Sequence, residues 1–331
     1  MKTEAEFQEF YQATLLPALR ALEARRKQIL GRIVLVAGVV LAVALPLALL
    51  VLSQGSGPSP MIMVIGVVLV GGAIGLAARG FSGGYTRDFK DRVIGSIVRF
   101  FDDALQYQPY DGIDEGAFHD CGIFTQQIDR YRGDDLVRGR IGETEIAFSE
   151  VHAEYKTTTT DSKGRRQTHW HTIFRGLFFR ADFNKNFAGR VVVLPDTAQR
   201  LLGSFGQTLQ KLSFGRGALI KLEDPEFEKL FVVYGTDQIE ARYLLSTSLM
   251  RRITDFKQKC GRPLHLAFAG SRIFVAISYD RPLFEPRIFR TLLEPAAVQE
   301  YYRDLQLALE IVEDLNLNLR IWQAERLETG G

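Results

Sequence analysis

Histidines at alternate positions are the residues of this sequence that come nearest to a metal site. His169 and His171 flank Trp170, and His152 lies on a neighbouring predicted strand. Alternate positions of a strand face the same side, so His169 and His171 could present two imidazole nitrogens together. No carboxylate stands at a matching spacing, and the pair borders a polar stretch at 156–168. We therefore interpret the group as a solvated hairpin and predict no metal site, with these three histidines as the candidates if a metal binds.

A second polar group lies in the sequence LEDPEFEK at 222–229. Its carboxylates could supply a general acid and a general base: Glu223, Asp224, Glu226 and Glu228. Pro225 and the flanking lysines favour a charged surface connection instead. The chain contains no Walker loop, HExxH helix, GxSxG elbow or CxxC pair, and Gly215-Arg216-Gly217 leads into a predicted strand rather than a phosphate-binding helix. We predict no catalytic and no cofactor-binding residues.

The overall composition limits the choice of partners. The chain has 331 residues, with 41 Lys and Arg against 39 Asp and Glu, so its formal charge is only +2. Nucleic-acid binding domains usually carry a strongly basic surface, and we therefore expect no nucleic-acid partner. The two cysteines, Cys121 and Cys260, are too few for a disulfide scaffold and are not spaced as zinc ligands, so we expect both to be reduced.

Two uncharged apolar segments near the start predict a transmembrane hairpin. The first, residues 33–52, contains fourteen Val, Leu and Ile residues, whose transfer into a bilayer is worth about 4 to 8 kcal/mol in total. The second, residues 61–78, is richer in glycine and has a weaker drive of its own. Gly71 and Gly75 are four positions apart, and small residues at this spacing let two helices pack closely in lipid. The alternative is a glycine-rich helix in which these residues are tolerated without such packing. The short stretch from Ser53 to Pro60 predicts a tight turn between the spans.

Basic residues predict the orientation of this hairpin. They precede the first span and follow the second, on the same side of the membrane: Arg20, Arg25, Arg26, Lys27, Arg32, Arg79, Arg87, Lys90 and Arg92. The positive-inside rule then places both termini in the cytoplasm. A cleaved signal peptide is the competing interpretation, but the basic region before the first span is long, and no A-x-A site leads into a secreted domain.

Periodicity divides the rest of the chain and predicts an α+β fold. We expect a cytoplasmic amphipathic helix at 1–32, the transmembrane hairpin at 33–78, a juxtamembrane helix at 79–110, a cytoplasmic domain at 111–295, and a C-terminal helix and tail at 296–331. Segments rich in β-branched and aromatic residues predict an antiparallel sheet in the domain: 136–141, 144–155, 172–183 and 190–194, then a hairpin at 264–268 and 273–278. Helices are predicted after Asp196 and over 248–260.

Two predicted helices carry apolar stripes, and for each stripe the sequence allows more than one packing partner. The first contains Phe7, Tyr11, Leu15, Leu19 and Leu22, and we favour packing on the chain itself over the membrane surface. The second follows steps of three and four residues from Val298 to Trp322. This seam could form a homo-oligomer contact, but the neighbouring apolar residues favour packing within its own domain.

Several long sequence strings resemble one bacterial family. The strings are FQEFYQATLLPALRALEARRK, FRGLFFRADFNKNFAGRVVVLPD, LEDPEFEKLFVVYGTDQIEARYLLSTSLM and LFEP, in this order between Phe7 and Trp322. They are similar to the uncharacterised family called domain of unknown function 3137. The resemblance implies a bacterial inner-membrane protein with a hairpin anchor and a cytoplasmic domain, and it suggests a LemA-like membrane protein as a partner. It offers no activity and no catalytic residues.

These observations favour a membrane-anchored binding or scaffold protein whose cytoplasmic domain recruits another protein. The alternative hypothesis is a membrane-bound hydrolase or transferase that uses Glu223, Asp224 or the three histidines. A transporter subunit is a third possibility, but the two spans contain no charged residue to line a pathway.

Overall fold

The computed structural model of the chain describes residues 2–53, 60–160, 164–183, 185, 187–196 and 216–318, without the side chains of 50–53 and 60–63. The described residues form two compact units. We call residues 2–100 with 284–301 the anchor unit, and residues 101–283 with 302–318 the sheet unit. The helix predicted after Asp196, the outer turn at 54–59 and the last part of the C-terminal seam at 319–322 lie outside the described residues.

Helices make up most of the anchor unit. They are α1 (Glu4–Phe10), α2 (Leu16–Ser53), α3 (Pro60–Phe89) and α4 (Gly95–Phe101), with π-helical segments at Tyr11–Leu15 and Lys90–Ile94. Thr3 begins α1 with a capping box, because its side chain accepts from the Glu6 backbone N–H while the Glu6 carboxylate accepts from the Thr3 N–H. Pro17 has no N–H to continue the ladder, and the π-helical segment lies directly before it, so the N-terminal helix continues into the first span.

The first amphipathic stripe packs on the chain itself. Phe7, Leu15 and Leu19 are at most 1% exposed, and the Phe7 ring meets Phe100 edge to face at 6.1 Å. The favoured interpretation of this stripe is confirmed. The helix after the second span ends at Phe101 rather than near Gln108, since the Asp102 side chain accepts from the Ala104 N–H and turns the chain toward the sheet.

Two helices in the described residues are long and apolar enough to cross a membrane by length and composition. Their apolar side chains point outward; Leu35 is 68% and Val67 is 73% exposed, for example. A core helix of a soluble protein would bury such side chains, so their exposure fits a lipid environment. Around Gly71 and Gly75 there is open space, because a Cβ added at either would meet no heavy atom within 4 Å. Among the described residues no helix packs against either glycine, and close helix packing in the membrane through Gly71 and Gly75 stays a prediction.

The sheet unit contains nine strands among its described residues, joined in one antiparallel sheet with the order β1-β2-β3-β4-β9-β8-β5-β7-β6. Their bounds are β1 Gln106–Gln108, β2 Arg130–Ile141, β3 Thr144–Thr160, β4 Arg166–Asp182, β5 Arg190–Pro195, β6 Ala218–Ile220, β7 Phe231–Gly235, β8 Leu264–Ala269 and β9 Arg272–Ser278. The mixed helix and antiparallel-sheet fold is confirmed. Strands β3 and β4 extend further than predicted, to the pair Thr160 and Arg166, because the threonines of the polar stretch suit a strand.

Both faces of the sheet are covered. On one face, a cross-strand row of Phe148, Phe179, Val275 and Leu266 is completely buried. On the other face, Phe118 and Phe178 belong to a second apolar cluster, with Phe118 supplied by a short helix. The remaining helices are α5 (Glu115–Asp120), α6 (Pro225–Leu230), α7 (Gln238–Leu244), α8 (Thr247–Cys260) and α9 (Pro295–Asp314).

The C-terminal helix buries its seam within the chain. Val298, Leu305 and Val312 are at most 1% exposed. This is the arrangement favoured from the sequence for the described part of the seam, and a homo-oligomer through this helix stays a prediction.

Candidate functional site

The most distinctive site of the sheet unit is a cleft over the first four strands, which we call the arginine cleft. Its volume is about 570 Å³, and its charged lining residues are Asp114, Arg138, Arg140, Glu145 and Arg180. Strand register explains why three arginines meet there. Arg138 on β2 pairs with Ala147 on β3, which pairs with Arg180 on β4, so one cross-strand row carries an arginine on each side of an alanine.

The small side chain of Ala147 creates the hollow. Strands in a sheet lie about 4.8 Å apart, so the Arg138 and Arg180 backbones stand roughly 10 Å from one another with only a methyl group between them. Arg140 is two positions beyond Arg138 on β2 and therefore faces the same side. Gln106 extends the row onto β1, where its side-chain oxygen accepts from Arg138 Nε at 3.3 Å.

The charges of the arginine cleft are not balanced by ion pairs. Among the described residues, no carboxylate lies within 4 Å of the guanidinium group of Arg138, Arg140 or Arg180. Glu145 is the register partner of Arg140 but forms no ion pair with it, and the Asp114 carboxylate accepts from the Ala117 N–H as the cap of α5. Guanidinium groups bind carboxylates and phosphates through paired N–H donors. The cleft is therefore suited to binding a carboxylate or a phosphate group.

A cluster of three acidic residues lies on the opposite face. Asp134, Asp135 and Glu150 each offer a carboxylate oxygen within 4.8 Å of the others. Strand β2 bulges here, and Asp135 adopts a left-handed conformation with φ of 59°. Such an oxygen set could hold a divalent cation. Within the chain, however, the Tyr107 hydroxyl already donates to Asp135, and the Leu283 N–H donates to Glu150 at 2.8 Å.

Burial changes the protonation of this cluster. Glu150 is 7% exposed, and desolvation raises its pKa to about 7, assisted by the negative charges of Asp134 and Asp135. The N–H of Leu283 and the charge of Arg175 act in the opposite direction. Near neutral pH, Glu150 is therefore partly protonated. The sequence around Glu150 gave no sign of this raised pKa.

The candidate histidines lie along the outer part of β3 and β4. His169 pairs with Thr157 and His171 with Tyr155, and both histidines are exposed. The His171 ring stacks on Tyr155 at 4.8 Å between centroids. His152 lies three residues before Tyr155 on β3, which is about 10 Å along a strand. Burial lowers the pKa of His152. That these histidines belong to a solvated hairpin and hold no metal stays a prediction.

The acidic motif at 222–229 acts locally. Asp224 caps α6 by accepting from the N–H groups of Glu226 and Phe227, both at 3.0 Å. Glu228 accepts from the Leu222 N–H at 2.8 Å. These contacts are local to the start of α6, and the absence of a catalytic role for this motif stays a prediction. Both cysteines are free thiols; Cys121 is buried, and burial raises the pKa of its thiol to about 12.

The fold and cleft define a class: a protein with two apolar N-terminal helices and a mixed helix and antiparallel-sheet domain that presents an arginine cleft. Residues 172–317 match the model of the family described as protein of unknown function (DUF3137). The resemblance is confirmed over this range, which contains three of the four quoted strings but not the one at 7–27.

Comparison with other proteins adds little on function. No curated protein matches the sequence. One solved structure, the crystal structure of the mycobacterial trehalose monomycolate transport factor A, TtfA, aligns with 10% identity over 65% of this chain and 94% of that chain. Its TM-score is 0.31, which is too low to transfer a fold or a role to this chain.

Proposed function

We propose that this chain is a membrane-anchored binding protein that recruits a protein partner through the arginine cleft. The observation that carries the proposal is the set of three guanidinium groups around one hollow, none of which has an ion-pair partner among the residues that the structure describes. Like charges held together repel one another, and an anionic group of a partner relieves that repulsion while filling the hollow. A carboxylate or phosphate on the partner is the group that fits.

The anchor in this proposal is a hairpin in the bacterial inner membrane, with both termini and the sheet unit in the cytoplasm. The exposed apolar side chains of α2 and α3 and the basic residues on their flanks support this arrangement. A cleft on an anchored protein then holds its partner at the membrane. A LemA-like membrane protein and a second copy of this chain are the two partners that the sequence suggests.

Photo-crosslinking in native membranes tests the proposal. The photoreactive residue p-benzoylphenylalanine replaces Leu136, which lines the cleft. We expect a discrete adduct, whose mass distinguishes a second copy of this chain from a different protein. Arg138→Glu with Arg180→Glu should abolish the adduct, since the cleft would then repel an anionic group. Higher salt should lower its yield.

The matched control is Arg251→Glu with Arg303→Glu. Both arginines are exposed, lie outside the cleft, and give the same change in net charge. The adduct should persist in this control variant. An adduct that survives the Arg138 and Arg180 reversal, or no adduct at all in membranes where the protein is abundant, rejects the arginine cleft as the recruiting site.

A further inference from the structure

An exposed aromatic residue stands beside the membrane-spanning part of the chain. Phe289 is 75% exposed, more than any other aromatic residue among those described. It belongs to the anchor unit, in the connection between β9 and α9. Arg290 follows it and is also exposed. Single exposed apolar side chains are common on protein surfaces, so what distinguishes this ring is its position relative to the apolar spans and not its exposure alone.

The backbone around Phe289 is fixed to α2. Arg26 and Glu23 form a forked ion pair with distances of 2.7 and 2.9 Å, and both are at most 8% exposed. Arg26 Nη1 also donates to the Ile288 carbonyl at 2.8 Å, and the Leu292 N–H donates to the Glu23 carboxylate at 3.1 Å. The connection is therefore held on both sides of Phe289.

A second attachment fixes the start of the connection. The Lys90 ammonium group is buried and lies 2.9 Å from Glu285 Oε1. Lys90 follows α3 directly, so the connection is tied to the continuations of both helices that carry the apolar spans. Its distance from the membrane is consequently set by the anchor.

Helix geometry gives that distance. Arg26 precedes Ile33, the first residue of the apolar span, by seven positions on the continuous helix α2. At about 1.5 Å per residue, Ile288 is held roughly 10 Å from the start of the span. The polar headgroup layer extends about 5 to 8 Å beyond the hydrocarbon on each side. Ile288 therefore stands about 2 to 5 Å outside the headgroup layer, a gap that the ring of Phe289, one residue further on, spans when it is directed toward the membrane.

We propose that Phe289 inserts into the headgroup layer of the leaflet that faces the basic flanks, with Arg290 contacting lipid phosphates. The proposal rests on the hairpin spanning a bilayer, but it is independent of the arginine cleft. Aromatic rings are favoured at this depth, and an adjacent arginine can pair with anionic headgroups. The connection thus forms a third membrane contact that restrains the anchor unit at the surface.

Spin-label accessibility in lipid nanodiscs tests the proposal on the full chain. Phe289→Cys carries a nitroxide in a Cys260→Ser background, where the remaining Cys121 is buried and does not label readily. We expect the label at 289 to collide more with oxygen and less with a water-soluble nickel chelate than a label at Ile239→Cys. Ile239 is the matched control because it is 83% exposed and lies in the sheet unit. The difference should grow when phosphatidylglycerol is added to phosphatidylcholine, provided Arg290 is intact.

A third label separates failure of this proposal from failure of the anchor. Val43→Cys lies within the first span and should show the strongest oxygen accessibility. A lipid-like signal at 43 together with water-like signals at 289 and 239 overturns the insertion of Phe289 alone. A water-like signal at 43 rejects the hairpin and the insertion together. Dipolar broadening between labels at 289 would instead identify a second copy of the chain as the group that covers Phe289, and would also overturn the proposal.

Discussion

Glu150 is a buried residue whose protonation state affects the stability of the fold. Its pKa in the folded protein is raised to about 7, above the ordinary value of 4.5. Between these two values the unfolded chain releases its proton first, so the contribution of Glu150 to stability is largest below about pH 4.5 and decreases as the pH rises to about 7. The loss amounts to at most about 3 kcal/mol, since one pKa unit corresponds to about 1.4 kcal/mol.

Glu150→Gln should remove this dependence. Glutamine keeps an oxygen that can accept from the Leu283 N–H but carries no charge to desolvate. We expect the melting temperature of the wild-type chain in detergent to fall by several degrees between pH 5 and pH 8, and that of Glu150→Gln to fall less. Glu145→Gln, an exposed change on the same strand, should behave like the wild type. Equal pH dependence in wild type and Glu150→Gln would refute the assignment.

At the residue scale, only part of the arginine cleft and its surroundings could be predicted from the sequence. In FRGLFFRADF, the alternation of strand positions by itself predicts that Phe178 and Arg180 lie on the face opposite Leu177 and Phe179, and the strand register agrees. The arginine cleft was not predicted, because it combines β2 and β4 across Ala147, and no local spacing reports which strands become neighbours. The left-handed conformation of Asp135 was likewise not predicted, since a non-glycine residue gives little sign of a bulge.

At the scale of elements, local sequence patterns predicted the bounds of single helices and strands better than they predicted which strands pair in the sheet. The predicted helix at 248–260 and hairpin at 264–278 agree with α8, β8 and β9 to within a residue. The insertion of β5 between β8 and β7, and the pairing of β4 with β9, join segments far apart in the sequence. Such pairings depend on total burial rather than on turn signals, so the sheet order could not be derived.

The junction between β4 and β9 depends on a glycine. Gly176 has φ of 148°, and a Cβ there would stand 2.1 Å from the Ile277 carbonyl oxygen and 2.9 Å from the Tyr279 nitrogen. Gly176→Ala must therefore move the two strands apart or break the hydrogen bond from the Tyr279 N–H to the Arg175 carbonyl. We expect a loss of roughly 2 to 4 kcal/mol, because backbone strain and steric overlap add.

Gly270→Ala is the matched control for this junction. Gly270 also has a positive φ, of 57°, but a Cβ there would meet no heavy atom within 4 Å. It should cost only the conformational penalty of about 1 to 2 kcal/mol. Thermal unfolding of both variants in the same detergent compares them, and an equal loss would show that contact with β9 is not what requires glycine at 176.

At the scale of the whole molecule, the two long apolar helices are the feature from which a membrane location is predicted. Sequence composition predicted them because lipid imposes a simple requirement: about 20 uncharged residues on one helix. The structure adds that the first span continues without a break from the packed N-terminal helix, which the sequence had divided at residue 32. Attachments such as Arg26 to Ile288 could not be foreseen, since they join residues more than 250 positions apart.

Charge placed in the first span should detach the chain from the membrane. The apolar residues of this span favour insertion by about 4 to 8 kcal/mol, whereas an aspartate near the helix centre costs about 2.5 to 3.5 kcal/mol. Val39→Asp with Val43→Asp should therefore cancel most of the gain, and the second span is too rich in glycine to compensate fully. We expect alkaline carbonate to extract this variant from membranes, while the matched Val39→Leu with Val43→Leu variant stays in the pellet. Reporter fusions at Gly57 and after the last residue of the wild-type chain should report opposite sides of the membrane; the same side for both, or extraction of the leucine variant, would contradict a spanning hairpin.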